Sequence, residues 1–161
     1  MTKSDGTLWH GRKSVNEAAL QRLIDESEVR KLVQEHYRAL DEANFDALNS
    51  LYTDDAVFEI GGQIQRGRQA IVDTPGTNIG RAYEVTYHHI GQIYVDLDGD
   101  EARGVAYVVA YHLPNAAELM KHEDGGGKFH VTARRTEDGW RLTQARLEIV
   151  FTQGDPMRVH V

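Results

Sequence analysis

Residues 85–113 read VTYHHIGQIYVDLDGDEARGVAYVVAYHL. VTYHHIGQIYVDL is long and rich in β-branched and aromatic residues, the composition of a strand. Asp98-Gly99 is a hairpin turn, because glycine accepts the positive φ that a tight turn requires. EARGVAYVVAYHL is then a second strand, ended at Pro114, which has no N–H to give a sheet. Val105, Ala106, Val108, Val109 and Ala110 place apolar side chains on both faces of that strand, so both faces of the sheet are partly covered. Helices supply one cover. A pocket or another subunit supplies the other.

Beyond this hairpin, residues 114–127 form a polar connection with three glycines, which reads as a mobile loop. KFHVTARRT, the turn EDG and WRLTQARLEIVF give a last long hairpin. Upstream, the period of the apolar residues changes from two to about 3.6. Asn16 is placed to cap a short helix carrying Ala19, Leu20 and Leu23. Asp25, three residues before Glu28, has capping-box spacing for a second start. The helix EVRKLVQEHYRALDEA follows, with Val29, Leu32, Val33, His36, Tyr37 and Leu40 on one stripe. Asn44 is expected to cap another short helix, FDALNSLY, with Phe45, Leu48 and Leu51 inward. AVFEIGGQIQRG reads as a hairpin turning at Gly61-Gly62. GRQAIVD reads as one more short helix, stopped by Pro75. Helices followed by consecutive hairpins imply an α+β fold: an antiparallel sheet packed on helices around a single pocket.

The chain's 161 residues suit one domain. Residues 1–14 are polar apart from Trp9 and read as a flexible arm ahead of a domain over residues 15–161. Apolar residues at 40% and charged residues at 27% are globular values. No apolar run approaches the roughly 20 residues of a membrane span. MTKSDGTLWHGRKS lacks the apolar core of a secretory signal, so the expected setting is the cytoplasm. Without cysteine there is no disulfide, no thiol nucleophile and no thiolate metal site. The formal charge of −7, with no basic stripe, argues against a nucleic-acid partner.

Asp41 falls one turn beyond Tyr37, on the edge of the apolar stripe. Helix geometry alone leaves open whether it borders a pocket or faces water. Five of the eight histidines, His88, His89, His112, His122 and His130, fall within residues 85–135. His88 and His89 are neighbours on a strand, so one faces in and the other out. A single inward histidine is more often a satisfied core residue than a catalyst. Neither His-x-His nor HExxH is present, and adjacent histidines on opposite faces do not readily share an ion, so neither a metal nor a cofactor is expected. Glu59 and Glu148 alternate with apolar neighbours and could point either way.

YRALDEANFDALNSLYTDDAVFEI, Gly67-Arg68, TYHHIGQIYVDLDGD and DGWRLTQARLEIVF occur in that order between about residues 17 and 152. This ordered set resembles the SnoaL-like branch of the nuclear-transport-factor-2-like superfamily. The resemblance implies a cone, in which a strongly curved sheet wraps a long helix around a deep pocket. Within the branch the sequence is similar to scytalone dehydratase and to cofactor-free dehydrochlorinase and bile-acid dehydratase enzymes. Those enzymes pair an aspartate at the end of the long helix with a histidine on the first long strand. The matching positions are Asp41 and His88, which the resemblance marks as catalytic. A second pocket histidine falls on His112, and later polar pocket positions fall near His130. The tyrosine of the long helix falls at or beside His36 and Tyr37. Arg146, in QARLE, is a common feature of the branch. For these five residues the implied role is substrate binding.

Elimination without a cofactor needs a base at a carbon-bound proton and an acid at the leaving group. Histidine titrates near 6.5 and serves as either. An aspartate beside it fixes one tautomer and stabilises the imidazolium. The expected activity is therefore a cofactor-independent, dehydratase-like lyase acting on a small apolar, aromatic or polycyclic substrate. A polyketide-type cyclase or an isomerase is the alternative enzyme, and a small-molecule binding or assembly module is the non-catalytic one. Doubly apolar strands suggest a homodimer or homotrimer through the sheet.

Overall fold

Asn16 opens the first helix, its side-chain oxygen accepting the Ala19 N–H at 3.2 Å. In the computed structural model, which describes residues 16–156, helix α1 then runs unbroken over Glu17–Asp41. No glycine or proline interrupts it, so the second start expected at Asp25 does not occur. Asp25 is instead buried on the helix flank. It accepts from Trp140 Nε1 at 3.2 Å and Gln21 Nε2 at 3.0 Å, and it pairs with Arg135 Nη2 at 2.7 Å. The arm assigned to residues 1–14, Trp9 included, lies outside the described residues.

Helix α1 closes in a Schellman pattern. Asn44 N–H bonds to the Ala39 carbonyl at 2.9 Å and Ala43 N–H to the Leu40 carbonyl at 3.1 Å. Ala43 takes the left-handed conformation this closure needs, with φ 51°. Asn44 does stand at the cap of the next turn, the 3-10 segment Phe45–Ser50, but its side chain makes no capping bond. Strands β1 (Tyr52–Ile60) and β2 (Gln63–Arg66) form the expected hairpin, with Gly61 and Gly62 both at positive φ. Helix α2 (Arg68–Thr77) runs through Pro75 rather than stopping before it. A proline there forfeits one bond in the last turn, while Thr74 Oγ1 donates to the Ala70 carbonyl at 2.6 Å. The short helix α3 (Ile79–Ala82) completes the helical layer.

Strands β3 (Val85–Asp98), β4 (Glu101–Leu113), β5 (Glu123–Thr136) and β6 (Gly139–Gly154) form an antiparallel meander. The full order is β2-β1-β6-β5-β4-β3. One pairing departs from the antiparallel expectation: β1 lies parallel to β6. No turn joins those two strands, so sheet curvature and the helix beneath it, not hairpin geometry, set their direction. The sheet curls around α1 without closing, and β2 and β3 remain its edges. The core beneath it holds Val29, Val33, Leu48, Tyr52, Phe129 and Leu142, all almost fully buried.

The glycine-rich segment differs most from expectation. Glu123 and Asp124 are buried, and Gly125, Gly126 and Gly127 belong to β5, so the loop shrinks to residues 114–122. Close packing explains the glycines. A Cβ on Gly127 would fall 2.3 Å from the Glu148 carbonyl oxygen, and one on Gly126 would fall 2.1 Å from the Phe151 ring. The ladder shifts register between these two glycines, a bulge at the cavity wall. Among the described residues no helix is long and apolar enough to cross a membrane.

Candidate active site

The inner face of the sheet and the last turns of α1 enclose a cavity of about 1020 Å³, its open mouth included. Helix α1 contributes His36, Tyr37 and Leu40. Strand β3 contributes His88, and β4 contributes Val108, Ala110 and His112. Phe58 and Ile60 of β1, Gly125 to Gly127 of β5, and Leu147 and Ile149 of β6 form the remaining sheet wall. Ile71, Thr74, Asn78 and Ile79 stand on the helical side. Among the described residues no lysine or arginine lines the cavity.

Asp41 and His88 meet. His88 Nδ1 lies 2.6 Å from Asp41 Oδ1, and the His88 backbone N–H donates to Oδ2 at 2.9 Å. Thr86 Oγ1 adds a bond to Oδ1 at 2.9 Å. Thr86 and His88 share a strand face because side chains alternate along β3. His89 points out to solvent. Partial burial pushes the Asp41 carboxyl up, but the bonds from the His88 ring, the His88 backbone and Thr86 outweigh it and hold the group below its ordinary value. An ionised Asp41 only accepts, so His88 carries its proton on Nδ1 and has an Nε2 lone pair. The His88 side chain is 5% exposed and that of Asp41 26%, which shields the pair without sealing it.

A second histidine stands beside the pair. The His112 ring crosses that of His88 edge-on at 5.5 Å. Its Nδ1 lies 3.0 Å from the Glu123 carbonyl, an acceptor, so the proton is again on Nδ1. Burial, then the charge of His88, lowers its pKa below the ordinary value. Behind it the Tyr83 hydroxyl donates to the buried Glu123 carboxylate at 2.5 Å. Tyr37 packs on His88 at 5.0 Å, and burial raises its hydroxyl pKa well above the ordinary value. His36 is buried and bonded through Nδ1 to the Tyr52 hydroxyl at 3.0 Å.

Five of the seven residues marked from sequence, Asp41, His88, His112, Tyr37 and His36, therefore converge. His130 and Arg146 do not. They pair in register on the outer sheet face, where His130 Nε2 binds Glu148 Oε2 at 2.8 Å. Strand parity explains this: their neighbours Phe129 and Leu147 face inward, so they face out. Sequence reasoning assigned no role to Thr86, Tyr52 or Glu123. Thr86 was detectable as the same-face neighbour two residues before His88. Glu123 was hidden because its segment resembled a loop. Among the described residues no three metal-ligating side chains converge.

A SnoaL-like domain family matches residues 21–146. The chain belongs to that family. Similar solved structures include a scytalone dehydratase-like protein of Novosphingobium aromaticivorans, with TM-score 0.74 and 21% identity over 85% of this chain and 91% of that one. Another is the hexachlorocyclohexane dehydrochlorinase LinA-type3 of Novosphingobium barchaimii, with TM-score 0.75 and 15% identity over 89% and 97%. A Kribbella flavida protein is 25% identical, with TM-score 0.73 over 82% and 95%. No curated protein sequence matches the chain significantly.

Proposed function

We propose that this protein is a cofactor-independent lyase that carries out a dehydratase-like elimination on a small apolar, aromatic or polycyclic substrate. The observation that carries this reading is the 2.6 Å contact between Asp41 and His88 at the wall of an apolar cavity. His88 Nε2 takes a proton from carbon, and the C–H electron pair becomes the new double bond. The hydroxyl on the adjacent carbon leaves with its own bonding pair and takes the proton back from the imidazolium as water. Asp41 stabilises that imidazolium meanwhile. Each acid–base role is worth roughly 10²–10⁴-fold, enough for a substrate whose C–H bond is already activated. The test is a screen of one- and two-ring β-hydroxy ketones, followed by Asp41→Asn and His88→Gln. Both variants are expected to fold, as read by circular dichroism, and to lose turnover. Full activity in either removes the dyad from the mechanism.

The same base can return its proton to another carbon, so a cyclase or isomerase is the second reading. Product analysis in deuterated water separates the two. We place the protein in the cytoplasm as a domain over residues 15–161, working as a homodimer or homotrimer. The outer sheet face supports the assembly, because Tyr87, Tyr94, Tyr107 and Tyr111 stand exposed on it. A purely monomeric sedimentation profile would remove that part.

A further inference from the structure

His36 differs from the other two cavity histidines. Its ring is clamped, lying nearly parallel to Phe129 at 5.0 Å and 18° and to Phe58 at 5.9 Å and 29°, with the edge of Tyr37 at 4.9 Å. Only its Nδ1 has a partner among the described residues, the hydroxyl of Tyr52. That hydroxyl is wholly buried, and Nδ1 is its one side-chain partner among the described residues. If Nδ1 carried the proton, the Tyr52 O–H would be enclosed with nothing to accept it. Tyr52 therefore donates, and the proton of the neutral imidazole sits on Nε2. No buried side-chain nitrogen in the described residues lacks a partner, so Nε2, which has none, reaches the cavity that His36 lines.

We propose that His36 is an uncharged hydrogen-bond donor subsite, whose Nε2–H holds a neutral carbonyl or phenolic oxygen of the ligand. This rests on the reading of the cavity as a substrate site and names the chemistry at its second wall. The two groups share a neighbour, the Tyr37 ring, which touches both His36 at 4.9 Å and His88 at 5.0 Å. A ligand with its oxygen on His36 thus presents nearby carbon to His88. When His88 removes a proton α to a carbonyl, negative charge moves onto that oxygen, where the N–H strengthens its hold. Burial supports the neutral form by lowering the His36 pKa to about 3, with the charge of His88 adding to the effect. With no lysine or arginine on the wall among the described residues, a carboxylate or phosphate ligand would be enclosed there without a compensating cation.

Two measurements test this, and neither needs turnover. Nitrogen-15 imidazole spectra of the wild-type protein at neutral pH are expected to show His36 as the Nε2–H tautomer; an Nδ1–H or doubly protonated ring overturns the proposal. Calorimetric titration with 2-naphthol and with naphthalene is expected to favour the naphthol by about tenfold or more, one added hydrogen bond. His36→Phe should bring the two affinities together, while His88→Gln and His112→Phe keep them apart. Equal affinities in the wild type, or a preference that survives His36→Phe, overturn the subsite. Loss of turnover in His88→Gln with the preference intact leaves the elimination reading standing or falling by itself.

Discussion

Asp41 grips His88 at two points, its Oδ1 on the ring Nδ1 at 2.6 Å and its Oδ2 on the backbone N–H at 2.9 Å. One carboxylate at a helix end thereby fixes the imidazole and the strand that carries it. The ring cannot swing away from the cavity without breaking the helix–strand contact as well.

Thr86→Val tests how much of that grip the third bond supplies. Valine keeps the shape and removes the Oγ1 donor at 2.9 Å. Asp41 retains both bonds to His88, so the expected result is about a tenfold loss of kcat with KM little changed. A loss as large as that of His88→Gln would mean that Thr86 does more than position Asp41.

The acid side of the stability curve should carry the signature of His36. Unfolded, the ring takes a proton below about 6.5. Folded, it stays neutral down to about 3. Between those values the unfolded chain binds more protons, so stability falls as the pH falls. His112 is shifted the same way and contributes in the same sense. Denaturant titrations of His36→Gln at several pH values should show a flatter decline across this window, and an unchanged slope would contradict a neutral His36.

Asp25→Ala should destabilise the fold and spare the chemistry. Asp25 is the acceptor for the buried Trp140 Nε1 and the partner of Arg135, remote from the cavity. Leaving a buried donor unsatisfied, with a broken ion pair beside it, costs about 2 kcal/mol. Thermal unfolding would register the loss, while turnover at low temperature should stay near wild type.

Ala43→Gly should do the reverse. Ala43 holds φ 51° to close α1 two residues beyond Asp41. Glycine adopts that conformation without the Cβ penalty and is expected to gain about 0.5 kcal/mol, part of the relief being offset by a freer unfolded chain. Chemical denaturation reads the gain. A destabilised variant would show that the Ala43 methyl packs more than the helix closure suggests.

The sequence by itself determined the parts that depend on periodicity and turn chemistry. The α1 stripe from Val29 to Leu40, the Gly61-Gly62 and Asp98-Gly99 hairpins and the opposite facing of His88 and His89 all follow from local spacing. The order of motifs supplied the family, and with it the expectation that Asp41 and His88 meet. Tertiary structure decided what distant partners decide. Asp25 looked like a helix cap because Trp140 and Arg135, its real partners, lie more than a hundred residues away. Gly125 to Gly127 looked like a loop because what they accommodate, Phe151 and the Glu148 carbonyl, belongs to the next strand. The parallel pairing of β1 with β6 has no local signal, since no turn connects them. His36 was legible as a cavity residue, but its proton was not. Placing that proton on Nε2 requires the Tyr52 hydroxyl, which only the folded chain brings to Nδ1.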